Sequence, residues 1–156
     1  MWKGKLLSIN IAQSEGGEMI TVEEIQAVPG KGLKGDRYYV LNETLSENSE
    51  PETEITLIEI EAIEALQREK GIHLSPKDSR RNLVTLQVPL NHLVGKEFRV
   101  GEVTLRGVEL CEPCKHLAKM TQPDVLPGLI HRGGLRANIL QGGMIHKGDI
   151  IEELKQ

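Results

Sequence analysis

Apolar residues along this chain come in short runs, rich in β-branched side chains and punctuated by glycine or proline. The stretches KLLSINIA (residues 5–12), MITVEEIQAV (19–28), NLVTLQV (82–88), EFRVG (97–101), VTLRGVEL (103–110), LRANILQ (135–141) and DIIEEL (149–154) predict strands. FRVGEVTL (98–105) predicts a tight hairpin turning at Gly101-Glu102. One segment has a helical signature. Thr56 and Glu59 read as a T-x-x-E capping box, Ile58, Ala62, Ala65 and Leu66 recur at helical spacing, Glu64 can pair with Arg68, and Gly71 is the stop. NETLSENSEPETE (42–54) holds five glutamates and no lysine or arginine, which predicts a solvated surface loop. Many short strands with few helices predict a mainly β chain, a small barrel or sandwich with helical insertions.

Length and charge narrow this further. The 156 residues suit one domain, 1–156, able to bury a core without staples. No run is long or apolar enough to span a bilayer. The opening MWKGKLLSINIAQSEGG reads as a first strand rather than a signal peptide. Two cysteines and no export signal predict a reducing, cytoplasmic setting. A net charge of -4 argues against wholesale attraction to nucleic acid or an anionic membrane. With 3% aromatic residues there is little for a stacking platform on single-stranded nucleic acid. The charge is uneven: residues 1–76 hold 7 Lys and Arg against 14 Asp and Glu, whereas 77–156 hold 12 against 9.

Three stretches combine fixed positive charge with permissive backbone. In PGKGLKGDRYY (29–39), Lys31, Lys34 and Arg37 are interleaved with three glycines, a composition suited either to holding an anion or to a solvated connection. In DSRRNLVT (78–85), Arg80, Arg81 and Asn82 precede an apolar strand, and paired guanidiniums entering a sheet need an acid such as Asp78 or an anionic ligand. In HRGGLRANI (131–139), His131, Arg132 and Arg136 flank Gly133-Gly134. An exposed turn accounts for each stretch singly, but convergence on one multiply anionic ligand accounts for all three together.

The fourth stretch, LCEPCKHL (110–117), contains both cysteines. A zinc site would take Cys111, Cys114, His116 and His131, although structural zinc sites usually show a second tight pair. A thioredoxin-like pair is expected early in a chain, in a βαβ context. A single reactive thiolate fits better, since Pro113 stiffens the turn and Lys115 and His116 add positive charge that favours a Cys114 thiolate. Two small buried hydrophobes are the remaining reading. Because Leu110 and Cys111 end an alternating strand, Cys111 is expected to pack and Cys114 to work.

Taken in order, GLKGDRYY, RRNLVT, LVGKEFRVGEVTLRG, LCEPC and HRGGLRANI with GDII resemble the MOSC family, named for the C-terminal domain of molybdenum cofactor sulfurases. The resemblance runs from about residue 4 to residue 152 and looks like a compact, stand-alone member. It implies a mainly β fold, a closed or partly open β-barrel of the pyruvate-kinase barrel-domain type with a few short helices. It also implies molybdopterin as cofactor and one cysteine that carries sulfur or ligates molybdenum, matched here by Cys114. The family's R-x-N element, near the pterin phosphate in its reductases, matches Arg80 and Asn82. Lys34, Arg37, Arg80, Arg81, Arg132 and Arg136 would supply the cations for a phosphate, and thiolate is a suitable soft ligand for the metal.

Two functions follow from the resemblance. One is an oxidoreductase reducing N-hydroxylated compounds, its electrons supplied by a partner protein because the chain has no dinucleotide fingerprint and no spare cysteines for an iron–sulfur cluster. The other is a carrier holding a persulfide or molybdopterin on Cys114 for delivery to a molybdoenzyme client.

Overall fold

The structure, a computed structural model, describes residues 1–111 and 132–154. Eleven strands are present among them: β1 (Lys3–Ala12), β2 (Met19–Val22), β3 (Glu24–Val28), β4 (Gly32–Leu33), β5 (Ile55–Glu59), β6 (Leu83–Leu86), β7 (Glu97–Val100), β8 (Val103–Leu110), β9 (Leu135–Gln141), β10 (Gly143–His146) and β11 (Ile150–Glu153). Two α-helices accompany them, α1 (Arg37–Glu43) and α2 (Ile60–Lys70). The strand order β11-β7-β8-β9-β5-β6-β1 closes on itself through a β1–β11 pairing, giving a seven-stranded barrel with β2 appended to β1. Closure removes the exposed edges that an open sheet would carry. A small second sheet, β10-β3-β4, lies beside it.

The barrel is filled by inward residues of every strand, among them Leu6, Ile9, Leu57, Leu83, Phe98 and Leu105. The predicted hairpin forms as expected, with Val100 opposite Val103 and Gly101 at φ +59. At Gly107 a Cβ would collide with the Leu93 carbonyl, so only glycine allows this approach of backbone to strand.

The predicted helix forms, but it starts later than the capping box suggested. Residues 55–59 are β5, and Thr56 is buried in it, hydrogen-bonded to Asn82 rather than capping a helix. Glu59 is the N-cap by position and makes no side-chain cap bond. β5 runs parallel to β6, and a parallel pair needs a crossover, which α2 provides. Ile58 packs with Ala62, Ile63, Leu66 and Val84 under the helix, while Leu57 and Leu83 face the barrel interior. The stop at Gly71 is as expected, with φ +68 and N–H bonds back to the Gln67 and Leu66 carbonyls. Arg68 lies against Glu69 at 3.4 Å.

The 42–54 segment is a solvated loop only between its ends. α1 runs into it as far as Glu43. Buried Asn42 donates to the carbonyls of Lys31 (2.7 Å) and Thr53 (2.8 Å). Buried Glu54 accepts the N–H groups of Gly30 (2.9 Å) and Ile139 (3.1 Å). Both ends are thus tied into the body by polar groups, and composition could not reveal those partners.

Candidate functional site

The site begins at the start of α1. Asp36 has the extended backbone of an N-cap, and its side chain accepts the N–H of Tyr38. Arg37, the first helical residue, then reaches the turn that precedes β6. Its Nη2 donates to the carbonyl of Arg80 at 2.7 Å, a contact between residues 43 apart in sequence. Its guanidinium also lies 4.4 Å from the centre of the Tyr38 ring.

Arg80 ends a short 3-10 turn, Lys77–Ser79, and is left-handed with φ 61 and ψ 20. Ser79 is buried there, its hydroxyl donating to Pro76 O (2.7 Å) and accepting from the N–H of Arg81 (3.3 Å). The turn sends the two arginines in different directions. Arg80 Nη1 donates to Gly17 O at 2.9 Å, and Arg81 Nε donates to Gly133 O at 2.7 Å. Carbonyl oxygens therefore take part of the load that sequence reasoning gave to Asp78 or a ligand. Beneath them Asn82 is fully buried. Its Oδ1 accepts from Thr56 N–H (3.0 Å) and its Nδ2 donates to Asn10 O (3.1 Å), pinning β6 between β5 and β1.

Between α1 and this turn lies a cleft of about 640 Å³. Arg37, Arg80 and Arg81 line it together with Tyr38, Val40 and Leu41. Val40 and Leu41 are exposed, an apolar lip in a cleft that three arginines also line. Glu15 and Glu52 also contribute to the lining. A smaller recess of about 360 Å³ adjoins it, sharing Gly16 and Arg80.

The remaining sequence candidates lie elsewhere. Lys34 is exposed and is not part of the cleft lining. Arg132 pairs with Glu69 at the end of α2 (2.7 Å), which holds the Glu69 carboxyl below its usual range. Arg136, on β9, pairs with Glu109 of β8 at 2.6 Å. The turn that carries Arg132 nonetheless reaches the cleft's edge, because Gly133 accepts from Arg81. The next carbonyl, of Gly134, accepts the N–H of half-buried Cys111 at 2.8 Å. Cys111 and Arg81 are thus joined to consecutive peptides. Gly134 has φ +113, and a Cβ there would strike the Leu57 carbonyl. Cys114, His116 and His131 lie outside the described residues. Among the described residues no three His, Cys, Asp or Glu side chains come together as a metal site, and no helix is long and apolar enough to cross a membrane.

Sequence reasoning missed α1 and with it the apolar lip. One signal was present: Asp36 followed by RYYVLNE is an N-cap pattern.

The family model for the MOSC domain matches residues 44–152. The chain belongs to the MOSC domain family. The barrel of this MOSC domain is similar to that of the YuaD protein of Bacillus subtilis, with a TM-score of 0.82, 18% identity and all of both chains covered. It is also similar to YiiM of Geobacillus stearothermophilus (TM-score 0.72, 15% identity, 97% of this chain and 75% of that one). For YiiM of Escherichia coli the values are 0.69, 18%, 97% and 70%. At these identities the likeness is one of fold. No protein of curated function matches the sequence.

Proposed function

We propose that this MOSC domain binds molybdopterin in the cleft beside α1 and reduces N-hydroxylated compounds, with Cys114 as the thiolate ligand of the metal. The observation that carries the reading is the meeting of Arg37, Arg80 and Arg81 in one cleft that also has an apolar lip. The residues suit the group. A phosphate is matched by planar guanidinium donors. A flat heterocycle is matched by Tyr38, Val40 and Leu41. A cleft of about 640 Å³ is of the size that small-molecule sites occupy. When bound, the cofactor supplies two-electron redox chemistry at molybdenum.

The chain's own part is binding and orientation. Arg80 and Arg81 hold the phosphate, and Arg37 braces the turn that carries them. Asn82, buried below that turn, ties it to β5 and β1. Tyr38 and Leu41 shield the ring from water. Lys34, Arg132 and Arg136 act only through the surrounding field. Cys111 is tied to Gly134 at the end of β8, and Cys114, which the family resemblance matches to the metal-ligating cysteine, takes the metal. Electrons come from a partner protein.

The test is metal and pterin analysis of protein purified from a host that makes the cofactor. Near-stoichiometric molybdenum and pterin are expected. Molybdenum should fall in Cys114→Ser but not in Cys111→Ser, and pterin should fall in Arg81→Ala. Metal-free protein carrying cyanide-labile sulfur on Cys114 would favour the carrier role, with a molybdoenzyme as client. Protein with neither would sink both.

A further inference from the structure

Asp36 is not among the cleft-lining residues, yet elements that build the cleft meet at its carboxylate. It is fully buried. Its Oδ1 accepts from the N–H of Ala12, at the end of β1, and from Arg37 Nη1, both at 3.1 Å. Its Oδ2 accepts from Tyr38 N–H at 3.3 Å. A buried carboxylate needs a matching cation and satisfied lone pairs, and Arg37 supplies the cation with a side chain only 9% exposed. The guanidinium is planar and rigid, so fixing Nη1 also fixes Nη2. That second nitrogen grips the carbonyl of Arg80. Arg80 is one of only two non-glycine residues at positive φ among those described. Such backbone persists only where its surroundings hold it.

We propose that Asp36 is a positioning residue for the cleft. It clamps Arg37 so that Arg37 locks the left-handed turn at Arg80, and the turn sets the directions in which Arg80 and Arg81 meet an anionic ligand. This rests on the cleft being the binding site, as proposed above. It is distinct from a plain charge role for Arg37. A lysine would keep the positive charge but could not bridge a carboxylate and a carbonyl through one rigid plane.

The experiment is anaerobic titration with purified molybdopterin, followed by pterin fluorescence, with thermal midpoints in parallel. The proteins are wild type, Arg37→Lys, Arg37→Ala, Asp36→Asn and the double Asp36→Asn/Arg37→Ala variant. Arg37→Lys should bind at least about tenfold more weakly although its charge is kept, the size expected for a lost charge-assisted hydrogen bond. Asp36→Asn should lose about as much. The double variant should bind no more weakly than Arg37→Ala alone, because Asp36 acts through Arg37. Wild-type affinity in Arg37→Lys, or losses that multiply in the double variant, would overturn the positioning role and leave the cleft reading standing. Failure of the wild type to bind would overturn the cleft reading and this proposal with it. If Asp36→Asn does not fold, the Arg37→Lys comparison decides alone.

Discussion

Glu54 is buried with its Oε1 already committed to the N–H groups of Gly30 and Ile139. Burial pushes its carboxyl above the ordinary value of 4.5, and the two N–H bonds offset this only in part. The Glu59 carboxyl is raised too, by burial first and then by Glu61. A raised pKa means that the folded chain binds the proton more tightly than the unfolded one. The stabilising contribution is therefore complete below about pH 4.5 and is lost as pH rises through the raised value. Glu54→Gln keeps an acceptor oxygen and abolishes the ionisation. Its stability relative to wild type, measured by denaturant melts, should move in the variant's favour as pH rises from about 4 to about 7. A pH-independent difference would show that Glu54 is not the titrating group. Asn82 makes the opposite case, a neutral group whose loss costs at every pH. Asn82→Ala strips the acceptor from Thr56 N–H and the donor from Asn10 O, and should cost about 2–4 kcal/mol. Neither role was legible in the sequence. Arg37, Arg80 and Arg81 stood out because charge beside glycine or charge entering a strand is unusual locally. Asp36 and Asn82 act through partners 24, 26 and 72 residues away.

At the scale of elements, legibility depended on burial and on what flanks the run: β6 is as buried as β5 but stands clear behind the polar Arg80, Arg81 and Asn82. Strands such as β1 and β8 mix buried and exposed positions and show in the sequence. β5 is different: Ile55, Thr56, Leu57 and Ile58 are all buried, because the barrel lies on one side and α2 on the other. Such a strand has no alternation to read, and its apolar residues merge into the helix that follows. β4, with two residues, is too short for any period, and α1, with seven, offers barely two turns. The acidic loop shows the same limit, since its composition describes the middle and not the anchors. Replacing residues 46–50 by glycine and serine should change the thermal midpoint little. Asn42→Ala, which removes two hydrogen bonds from a buried amide to part-buried backbone carbonyls, should cost about 1–3 kcal/mol. Equal effects of the two changes would mean that the loop is held by its middle.

For the whole molecule, the decisive contact joins the two ends of the described chain. Lys3, Gly4 and Lys5 pair with Glu152, Ile151 and Ile150, and that register converts a curved sheet into a barrel. Each segment announces itself as a strand, but nothing local says that the first and last are neighbours. The resemblance to the MOSC family implied a barrel, closed or partly open, where periodicity left barrel and sandwich side by side, and the β1–β11 pairing closes it. Physically, closure matters because β11 also serves β7, with Ile151 opposite Val100 and fully buried in the core. The turn before it is locked as well, through Leu6 N–H to Asp149 O (2.9 Å) and Gly148 N–H to Leu6 O (2.8 Å). Truncation after Gly148 would therefore leave β1 and β7 each with an unpaired edge and open the side of the core that Ile151 and Phe98 fill. Small single cores unfold as a unit, so the loss should not stay local. The truncated chain should lack a sharp thermal transition by circular dichroism and should expose apolar surface to a hydrophobic dye. A cooperative transition within a few degrees of the full chain would mean that the barrel holds without its closing strand.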